Sequence, residues 1–460
     1  MKKEHYCKSS TFSVSIDRLW AWHLSPGAFE RLMPPWQTLD PVDLPRIPEE
    51  GKRAIFDLRM GLLKKRWEAL LGPFEPPHYF VDTQERGPFA EWRHEHRMKE
   101  AEAGKSILTD AIAFRLPAGL GAIPFFRNLG GKELERLFGF RHRRMAEDLT
   151  RFPGTLPGSG KTILVTGFRG FIGKRLVPYL RTLGYTVRGL SRSGTGEGIY
   201  SWNPTAGKID PEALDGVEGV IHLAGEGIAS GRWTKERRRR ILESRRIGTR
   251  TLVRAMAQAK PGPKVLASAS GVNFYAGREG PQGEEDTRGE GFLAEVCEAW
   301  EREARLAEEG GIRTVLLRTG IVLDPSGGAL GKMLPAFRFG LGGPIGDGRQ
   351  GFPWIAMDDL LDIYERALRD EDLRGPVNAV HPETINQGAF SRCLGRVLGR
   401  PAFLPLPAGV VKLLFGRMAE ETLLADLNIR PRVLLEKKHP FRSRSVEDAL
   451  GFLLGKAIPS

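Results

Sequence analysis

Polar and apolar residues alternate over much of the first 115 positions, as they do in strands that are buried on one face. The alternation predicts strands at 11–16, 53–60, 65–71, 79–84, 90–99 and 106–115. Asp17 is predicted to cap a helix that follows the first strand. Apolar residues at helical spacing predict a second helix over 132–149. One long helix packed over a curved antiparallel sheet would enclose a cavity.

The pattern changes after residue 160, where short β-branched apolar runs alternate with helical stretches. Runs at 161–166, 185–190, 219–223 and 264–267 predict strands of a Rossmann-type, doubly wound parallel α/β sheet. The stretch 151–160 is rich in glycine and has no periodicity, so it is predicted to be a linker. Because single cores stop growing near roughly 250–300 residues, we expect one domain over 1–150 and another that begins at 161.

The first strand of the second domain leads into a glycine turn and then into a helix, an order that forms phosphate sites. The turn consists of Gly167, Phe168, Arg169, Gly170, Phe171, Ile172 and Gly173. Glycines permit a tight turn and a close approach to the ligand, while the helix N-terminus offers free N–H groups to a phosphate. These seven residues are predicted to bind a dinucleotide. The alternative is a glycine-rich loop between core elements.

The second strand of this domain ends in Ser191, Arg192 and Ser193. NAD enzymes usually place an acid here for the ribose hydroxyls. Arg192 instead offers a cation with a planar donor fork, which suits a 2′-phosphate. NADP(H) is therefore the predicted cofactor, and a surface arginine is the alternative interpretation.

Later strands carry small and polar residues to the carboxyl edge of the sheet, where open α/β sheets bind ligands. The residues expected there are Leu223, Ala224, Gly225, Glu226, Ser268 and Ser270. The first four are predicted to contact the adenosine half of the cofactor. Ser268 is predicted to contact the cofactor as well.

The N-terminal order of elements resembles the polyketide cyclase and START-like ligand-binding superfamily, as does the segment 25–32 followed by Pro34-Pro35-Trp36. The resemblance implies an α+β helix-grip domain with an apolar pocket for a hydrophobic ligand. Alternation places His94 and His96 on one strand face. They could ligate a metal, line the pocket or form a structural pair. The sequence shows no third ligand, so no metal is predicted.

Residues 161–460 resemble the epimerase-type, extended short-chain dehydrogenases, beginning with the GxxGxxG spacing of the glycine turn. The segments that carry the resemblance are 223–226, 231–234, 244–249, 291–297, 318–323, 327–330 and 354–360. The resemblance implies a nucleotide domain over 161–399 and a small C-terminal domain over 400–460 that completes the substrate side. It also implies that Arg318 belongs to the cofactor-binding residues.

The catalytic residues depart from the wider short-chain pattern. Those enzymes supply a proton from a Tyr whose pKa is lowered by a Lys four residues later, and no Tyr-x-x-x-Lys occurs in this sequence. Tyr275 is the predicted proton donor, with Ser270 orienting the substrate; the alternative is that Tyr275 only packs. Glu226 and Cys297 are further candidate donors, although Cys297 is expected to be buried and inert.

Two functions are consistent with these residues. The first is an NADP(H)-dependent oxidoreductase or epimerase that acts on a small hydrophobic or carbonyl-containing substrate. The second is a non-catalytic NADP(H)-binding sensor or regulator, and the names of some relatives imply a link to cell division.

Charge and composition limit the classes of partner and the cellular location that the sequence predicts. The net charge is +13, but the arginines of the basic segment 235–240 point around a helix, so we predict no nucleic-acid partner. No apolar run is long enough to span a membrane. Three separated cysteines predict neither a disulfide framework nor a zinc site. With a charged N-terminus, the expected location is the cytoplasm.

Overall fold

A computed structural model describes residues 3–37, 39–60, 63–102, 104–117, 124–154, 156–193, 196–229 and 231–456. The chain divides into two compact units, one formed mainly by the residues up to Ser159 and the other mainly by those from Gly160 to Gly451. Among the described residues, no helix has the length and apolar character needed to cross a membrane.

The first unit is a seven-stranded antiparallel sheet with three helices. Its elements are β1 (Glu4–Phe12), α1 (Ile16–His23), α2 (Ala28–Leu32), β2 (Leu39–Asp43), β3 (Arg53–Met60), β4 (Leu63–Glu75), β5 (Tyr79–Arg86), β6 (Glu91–Glu100), β7 (Ser106–Arg115) and α3 (Pro124–Arg151). The strand order is β1-β7-β6-β5-β4-β3-β2. The first strand thus pairs with the last, and the other strands follow one another as neighbours.

The core of this unit forms where the alternating strands meet the helices. Every second residue of β7 is buried, and α3 contributes Phe138 and Met145 from the opposite side. Fully burying a large apolar side chain stabilises a fold by about 1.5–3 kcal/mol. The long helix and the sheet therefore hold each other in place.

Two local predictions for this unit were wrong, and one strand was missed. The first strand is β1, which ends at Phe12, whereas the predicted strand at 11–16 runs into α1. The polar residues of β1 pair with β7 over the whole length of the strand. A local pattern of polar and apolar residues does not show a pairing between segments that are far apart in the chain. Ser15, rather than Asp17, caps α1, because its side chain accepts the N–H of Arg18. The acidic strand β2 was not predicted.

The second unit contains an eight-stranded sheet flanked by helices. Its elements are β8 (Thr162–Thr166), α4 (Gly173–Thr182), β9 (Thr186–Ser191), β10 (Ile199–Asn203), β11 (Lys208–Ile209), β12 (Val217–His222), α5 (Lys235–Gln258), β13 (Val265–Gly271), α6 (Phe292–Arg305), β14 (Arg313–Thr319), β15 (Ile321–Leu323), α7 (Gly328–Arg338), β16 (Trp354–Ala356), α8 (Met357–Arg369), β17 (Gly375–Ala379), α9 (Gln387–Leu398), α10 (Ala408–Phe415), α11 (Arg417–Glu421) and α12 (Arg432–Glu436). The helix α13 (Val446–Leu454) follows.

The order of strands in this sheet is β11-β10-β9-β8-β12-β13-β14-β17. All neighbours pair in parallel except β10 and β11. This arrangement confirms the predicted Rossmann-type parallel sheet. After β8 the chain first builds the sheet on one side and then returns to build β12 and the strands beyond it. The crevice between the carboxyl ends of β8 and β12 is therefore the topological switch point, where doubly wound folds bind ligands.

A buried ion pair in the first unit offers a test of how its helices are held. Arg31 of α2 contacts Asp148 of α3 through two hydrogen bonds of 2.8 Å, and both side chains are almost completely buried. Asp148→Asn would remove the negative charge that these two hydrogen bonds place against the guanidinium, so we expect a loss of about 3–5 kcal/mol in the free energy of unfolding. Urea denaturation followed by tryptophan fluorescence would measure the loss.

The matched control is Lys52→Gln, which removes an ion pair between two exposed side chains, Lys52 and Glu49. We expect this change to cost less than about 1 kcal/mol. Equal losses for the two variants would show that the buried pair does not hold α2 to α3.

Candidate functional site

The switch point is built on a close approach of two backbone segments. Thr166 at the end of β8 lies opposite His222 at the end of β12, so the residues that follow each strand become neighbours. Gly167 has a φ of +67°. A Cβ atom there would lie 3.0 Å from the amide nitrogen of Ala224. Only glycine fits this position without displacing the segment that begins at Leu223.

A chain of three buried side chains holds the same two segments together. The Thr166 hydroxyl oxygen accepts the N–H groups of Leu223 and Ala224, each at 3.1 Å. It donates its own proton to His222 Nδ1 at 2.7 Å. Burial lowers the pKa of His222 to about 3, so the ring is neutral and its Nε2–H donates to the Thr249 hydroxyl at 2.9 Å.

The glycine turn leaves backbone N–H groups available for a phosphate. Gly170 donates to the carbonyl of Gly167 at 2.8 Å. Among the described residues, the N–H groups of Phe168, Arg169, Phe171 and Ile172 make no hydrogen bond within the protein. They lie at the N-terminal end of α4, where the partial positive charge of the helix favours an anion.

The third glycine of the turn packs the start of α4 against the loop. A Cβ atom at Gly173 would lie 2.4 Å from the carbonyl oxygen of Gly167. A Cβ atom at Gly327, which precedes α7, would in turn lie 2.8 Å from the Phe171 ring. The Phe171 side chain thus packs against the segment that opens α7, while its backbone belongs to the predicted phosphate site.

Two arginines stand beside the end of β9. Arg169 of the glycine turn donates to the Ser191 hydroxyl at 3.3 Å. Arg192 is exposed and, within the described part of the chain, makes neither a hydrogen bond nor an ion pair. Ser193 donates its N–H to the Ser191 hydroxyl at 3.4 Å. The structure therefore places Arg169 together with the predicted segment 191–193, a pairing that the sequence did not suggest.

A buried polar network occupies the region after β13. The Ser270 hydroxyl donates to Glu301 of α6 at 2.8 Å. Arg318 of β14 forms two hydrogen bonds of 2.8 Å with the same carboxylate. Arg318 also donates to the Tyr275 hydroxyl at 2.6 Å, and that hydroxyl donates to Asn378 Oδ1 at 2.9 Å.

This network changes the interpretation of two predicted site residues. Arg318 was predicted to contact the cofactor, but it is buried and its guanidinium is engaged by Glu301, Tyr275 and the carbonyl of Glu284. Tyr275 was predicted to donate a proton. Its side chain is fully buried, its hydroxyl already has two protein partners, and burial raises the pKa of Tyr275 to about 12. The geometry favours a packing and positioning role for both side chains.

The other predicted donors differ from one another in accessibility. Cys297 is buried, as expected, and burial raises the pKa of its thiol to about 11, which disfavours the reactive thiolate. Glu226 is partly exposed and forms an ion pair of 3.0 Å with Arg237. Ser268 is fully buried, and its hydroxyl faces the carbonyl of Ala269 at 3.4 Å. Its side chain is thus shielded from the crevice.

Sequence reasoning missed Arg245 of α5. Its guanidinium lies over the Trp300 ring, 4.8 Å from the ring centre, and donates to the carbonyl of Glu226 at 2.9 Å. A Cβ atom at Gly225 would lie 3.0 Å from its Cζ atom, so Gly225 leaves room for this cation below the crevice. Burial lowers the pKa of Arg245 to about 10. The residue stands within the family-like segment 244–249, but no spacing rule indicated its role.

The Thr166 hydroxyl provides a test of the site. Thr166→Val would leave the Ala224 N–H and His222 Nδ1 without this partner, at a cost of about 1–3 kcal/mol for each group, whereas the Leu223 N–H would keep its 3.3 Å bond to the Thr166 carbonyl. We expect the variant to lose stability and to bind NADPH more weakly, as measured by urea denaturation and by fluorescence titration.

Thr186→Val is the matched control, because Thr186 is an exposed residue at the start of the neighbouring strand β9. It should leave both quantities nearly unchanged. If Thr166→Val bound NADPH as tightly as the wild type, the crevice between β8 and β12 would not be the cofactor site.

Comparison with known proteins assigns the second unit to a family. The family model described as "NAD dependent epimerase/dehydratase family" matches residues 163–386. A second model, a domain of unknown function named DUF1731, matches residues 406–453. This agrees with the resemblance drawn from the sequence motifs.

Individual relatives match over nearly their whole length. The epimerase family protein Mb2239 of Mycobacterium bovis is 36% identical over 292 residues, which are 63% of this chain and 96% of that protein. The human epimerase family protein SDR39U1 is 36% identical over 274 residues, which are 59% of this chain and 92% of that protein.

Two solved structures are similar. A crystal structure described as the nucleoside-diphosphate sugar epimerase from Corynebacterium glutamicum has a TM-score of 0.79 and 30% identity, with 98% of this chain and 90% of that chain covered. Human SDR39U1 isoform 2, solved with NADPH, has a TM-score of 0.59 and 35% identity, with 63% and 97% covered. The chain therefore belongs to the NAD-dependent epimerase/dehydratase family, among the epimerase family proteins that include SDR39U1.

Proposed function

We propose that this protein binds NADP(H) at the switch point and uses it to oxidise, reduce or epimerise a small hydrophobic or carbonyl-containing substrate. The observation that carries the proposal is that four N–H groups ahead of α4, those of Phe168, Arg169, Phe171 and Ile172, make no hydrogen bond with any described residue. A pyrophosphate can accept hydrogen bonds from these groups. The close approach of Gly167 to Ala224 leaves no side chain in the way.

Arg169 and Arg192 support NADP(H) rather than NAD as the cofactor. One contacts Ser191 and the other is exposed just beyond it, so two cations flank the place where the adenosine ribose would lie. A 2′-phosphate would gain charge-assisted hydrogen bonds from both. The human relative that was solved with NADPH is consistent with this assignment.

Bound NADPH would supply a hydride to a carbonyl carbon, and solvent water would supply the proton that the carbonyl oxygen then needs. We propose that Ser270 orients the substrate and that Tyr275 acts as a positioning residue. Tyr275 holds Arg318, Arg318 holds Glu301, and Glu301 accepts the hydrogen bond of Ser270. The tyrosine thereby fixes the direction of the serine without contacting the substrate.

The exposed apolar side chains of the C-terminal segment support a hydrophobic substrate. Leu413 and Leu414 of α10 are 72% and 55% exposed. Arg232, in the loop that follows β12, donates hydrogen bonds to the backbone carbonyls of the same two residues. An apolar surface of this kind beside a cofactor loop is typical of a ligand-binding region. We propose that the domain 400–460 completes the substrate side of the domain 161–399.

For the first unit we propose a helix-grip domain of the polyketide cyclase and START-like kind over residues 1–150, joined by the linker 151–160. The order of its strands and the packing of α3 against the sheet support this proposal. Its aromatic core, which includes Phe56, Trp67 and Trp92, would suit a hydrophobic ligand.

A non-catalytic sensor is the second candidate function. Two observations favour it, namely the absence of Tyr-x-x-x-Lys from the sequence and the burial of Tyr275. In this case NADP(H) occupancy would regulate a partner without turnover. Both candidates require the same cofactor site, so cofactor binding alone does not distinguish them.

Cofactor choice is tested by Arg192→Asp. The change removes a cation and adds a charge that repels a 2′-phosphate, so the Kd for NADPH should rise about 10- to 100-fold, the equivalent of about 1.5–3 kcal/mol. The Kd for NADH should change little. Arg254→Asp, at an exposed arginine of α5, is the control. An unchanged ratio of the two affinities would contradict the assignment of Arg192.

Catalysis is tested by single-turnover oxidation of bound NADPH with a panel of carbonyls and quinones. Since Tyr275 is proposed to act through Arg318, Tyr275→Phe should slow turnover less than about 10-fold, whereas loss of a proton donor would cost about 10²–10⁴-fold. Ser270→Ala should slow it about 10-fold, the equivalent of about 1.4 kcal/mol. If no compound oxidises NADPH that fluorescence titration shows to be bound, the catalytic proposal fails and the sensor is favoured.

A further inference from the structure

The sheet of the first unit buries a cluster of acidic and imidazole side chains on its inner face. The register pairs Asp82 of β5 with His94 of β6, and His96 of β6 with Asp110 of β7. Since His94 and His96 are two residues apart, all four side chains project from the same face. Their neighbours on β7 are the buried apolar residues Leu108 and Ile112, so four polar groups interrupt an otherwise apolar core.

The four side chains form a closed ring. Asp82 Oδ2 lies 3.1 Å from His94 Nδ1 and 3.5 Å from His96 Nε2. On the other side, Asp110 Oδ1 lies 3.0 Å from His94 Nε2 and 2.8 Å from His96 Nδ1. Each imidazole therefore directs one nitrogen to Asp82 and the other to Asp110.

The Asp82 side of this ring matches the spacing of a metal coordination shell. The ligand atoms of Asp82, His94 and His96 all lie within 4.8 Å of one another. Nitrogen and oxygen ligands bind a first-row ion at about 2.0–2.2 Å, so neighbouring ligand atoms in a tetrahedral or octahedral shell stand roughly 3–3.5 Å apart. The two distances that involve Asp82 fall in this range.

Asp110 supplies the supporting interaction that metal-bound histidines normally have. Such histidines donate their second ring N–H to a carboxylate or carbonyl, which fixes the ring and makes it a better ligand. Asp110 Oδ1 is hydrogen-bonded to His94 Nε2 at 3.0 Å. It also lies 2.8 Å from His96 Nδ1, although the angles there are not those of a hydrogen bond. Its other oxygen is 2.7 Å from His142 Nε2, and His142 Nδ1 is 2.7 Å from the Ser10 hydroxyl. The orientation of Asp110 is thus itself fixed.

The charge of the cluster also favours a cation. Asp110 is buried and the Asp82 side chain is 19% exposed. In the described part of the chain, the side chains within ion-pair distance of them are histidines, and the buried guanidinium of Arg141 interacts electrostatically with both carboxylates. Burying carboxylates costs several kcal/mol for each ion unless positive charge compensates it. A divalent ion would balance both charges and leave the histidines neutral.

A second observation comes from His23 of α1. Its ring centre lies 5.4 Å from that of His96. The residue is only 7% exposed. Among the described residues, its Nδ1 has no hydrogen-bond partner. An unsatisfied imidazole nitrogen beside the cluster is costly unless a ligand uses it.

We propose that Asp82, His94 and His96 bind one divalent first-row transition-metal ion, of the Zn²⁺ or Fe²⁺ class, inside the N-terminal unit. Two imidazoles and one carboxylate suit both ions and leave at least one coordination position open. No metal was predicted from the sequence, because the sequence showed no third ligand. The third ligand stands on the neighbouring strand, where the register and not the spacing along the chain brings it to the histidines.

The test uses the full-length protein. It is purified, its metal content is measured by mass spectrometry, and it is then freed of metal with a chelator. Titration with Zn²⁺ by calorimetry should show one ion per chain. Co²⁺ should give visible absorption bands of a nitrogen and oxygen site. An anaerobic titration with Fe²⁺ distinguishes the two metals by affinity. Zn²⁺ should also raise the melting temperature, because it binds only the folded site.

Variants connect the signal to the cluster. Asp82→Asn and His96→Ala should abolish the Co²⁺ bands, whereas Asp110→Asn should weaken affinity about 10- to 100-fold. His78→Gln, at an exposed histidine between β4 and β5, should change nothing. Far-UV circular dichroism and urea denaturation followed by tryptophan fluorescence show that each variant is folded, because Trp22, Trp67 and Trp92 lie in the core of the first unit.

Two results would overturn the proposal. The first is a wild-type protein that takes up neither Zn²⁺, Co²⁺ nor Fe²⁺ at micromolar concentrations, which requires no variant. The second is uptake that Asp82→Asn and His96→Ala leave unchanged, which would place the ion elsewhere.

Discussion

The proposed dinucleotide site depends on the close approach of Gly167 to the backbone of Leu223 and Ala224. Parallel pairing of β8 with β12 brings the two strand ends together, but a side chain at residue 167 would separate them. Thr166 then joins the segments, because its hydroxyl oxygen accepts hydrogen bonds from two N–H groups. The hydroxyl in turn donates a hydrogen bond to His222, which fixes its orientation. Strand order, one glycine and one threonine thus fix the backbone from which the proposed phosphate site is built.

The residues proposed for catalysis are arranged differently from those of the wider short-chain family. In the wider short-chain family a Tyr and a Lys on one helix supply the proton. Here the helix α6 carries Glu301 toward Ser270 and Arg318, and Cys297 stands buried one turn earlier. The charges of Glu301 and Arg318, which could take part in catalysis in an open crevice, neutralise each other here. This arrangement stabilises the sheet edge and fixes Ser270, and it explains why Tyr275 can be essential to the local structure without being accessible to a substrate.

Much of the fold followed from periodicity, and the exceptions have physical reasons. The strand β8 and the helix α4 were predicted because β-branched and helical patterns are local properties. The strand β1 was placed too late, since its polar residues are held by pairing with β7, a partner about 100 residues away in the chain. Ser15 caps α1 in place of Asp17 because capping depends on the backbone angles at the helix start.

The candidate site divides in the same way. The sequence by itself determined the glycine turn, the likeness to the epimerase family and the presence of Arg192 after the second strand, because each is written in consecutive residues. Only the tertiary structure decided that Arg169 contacts Ser191 and that Arg318 forms an ion pair with Glu301. It also decided that Asp82 and Asp110 form a ring with His94 and His96. These contacts join residues far apart in the chain. Strand register and helix packing bring such residues together, and neither is encoded in the spacing of a motif.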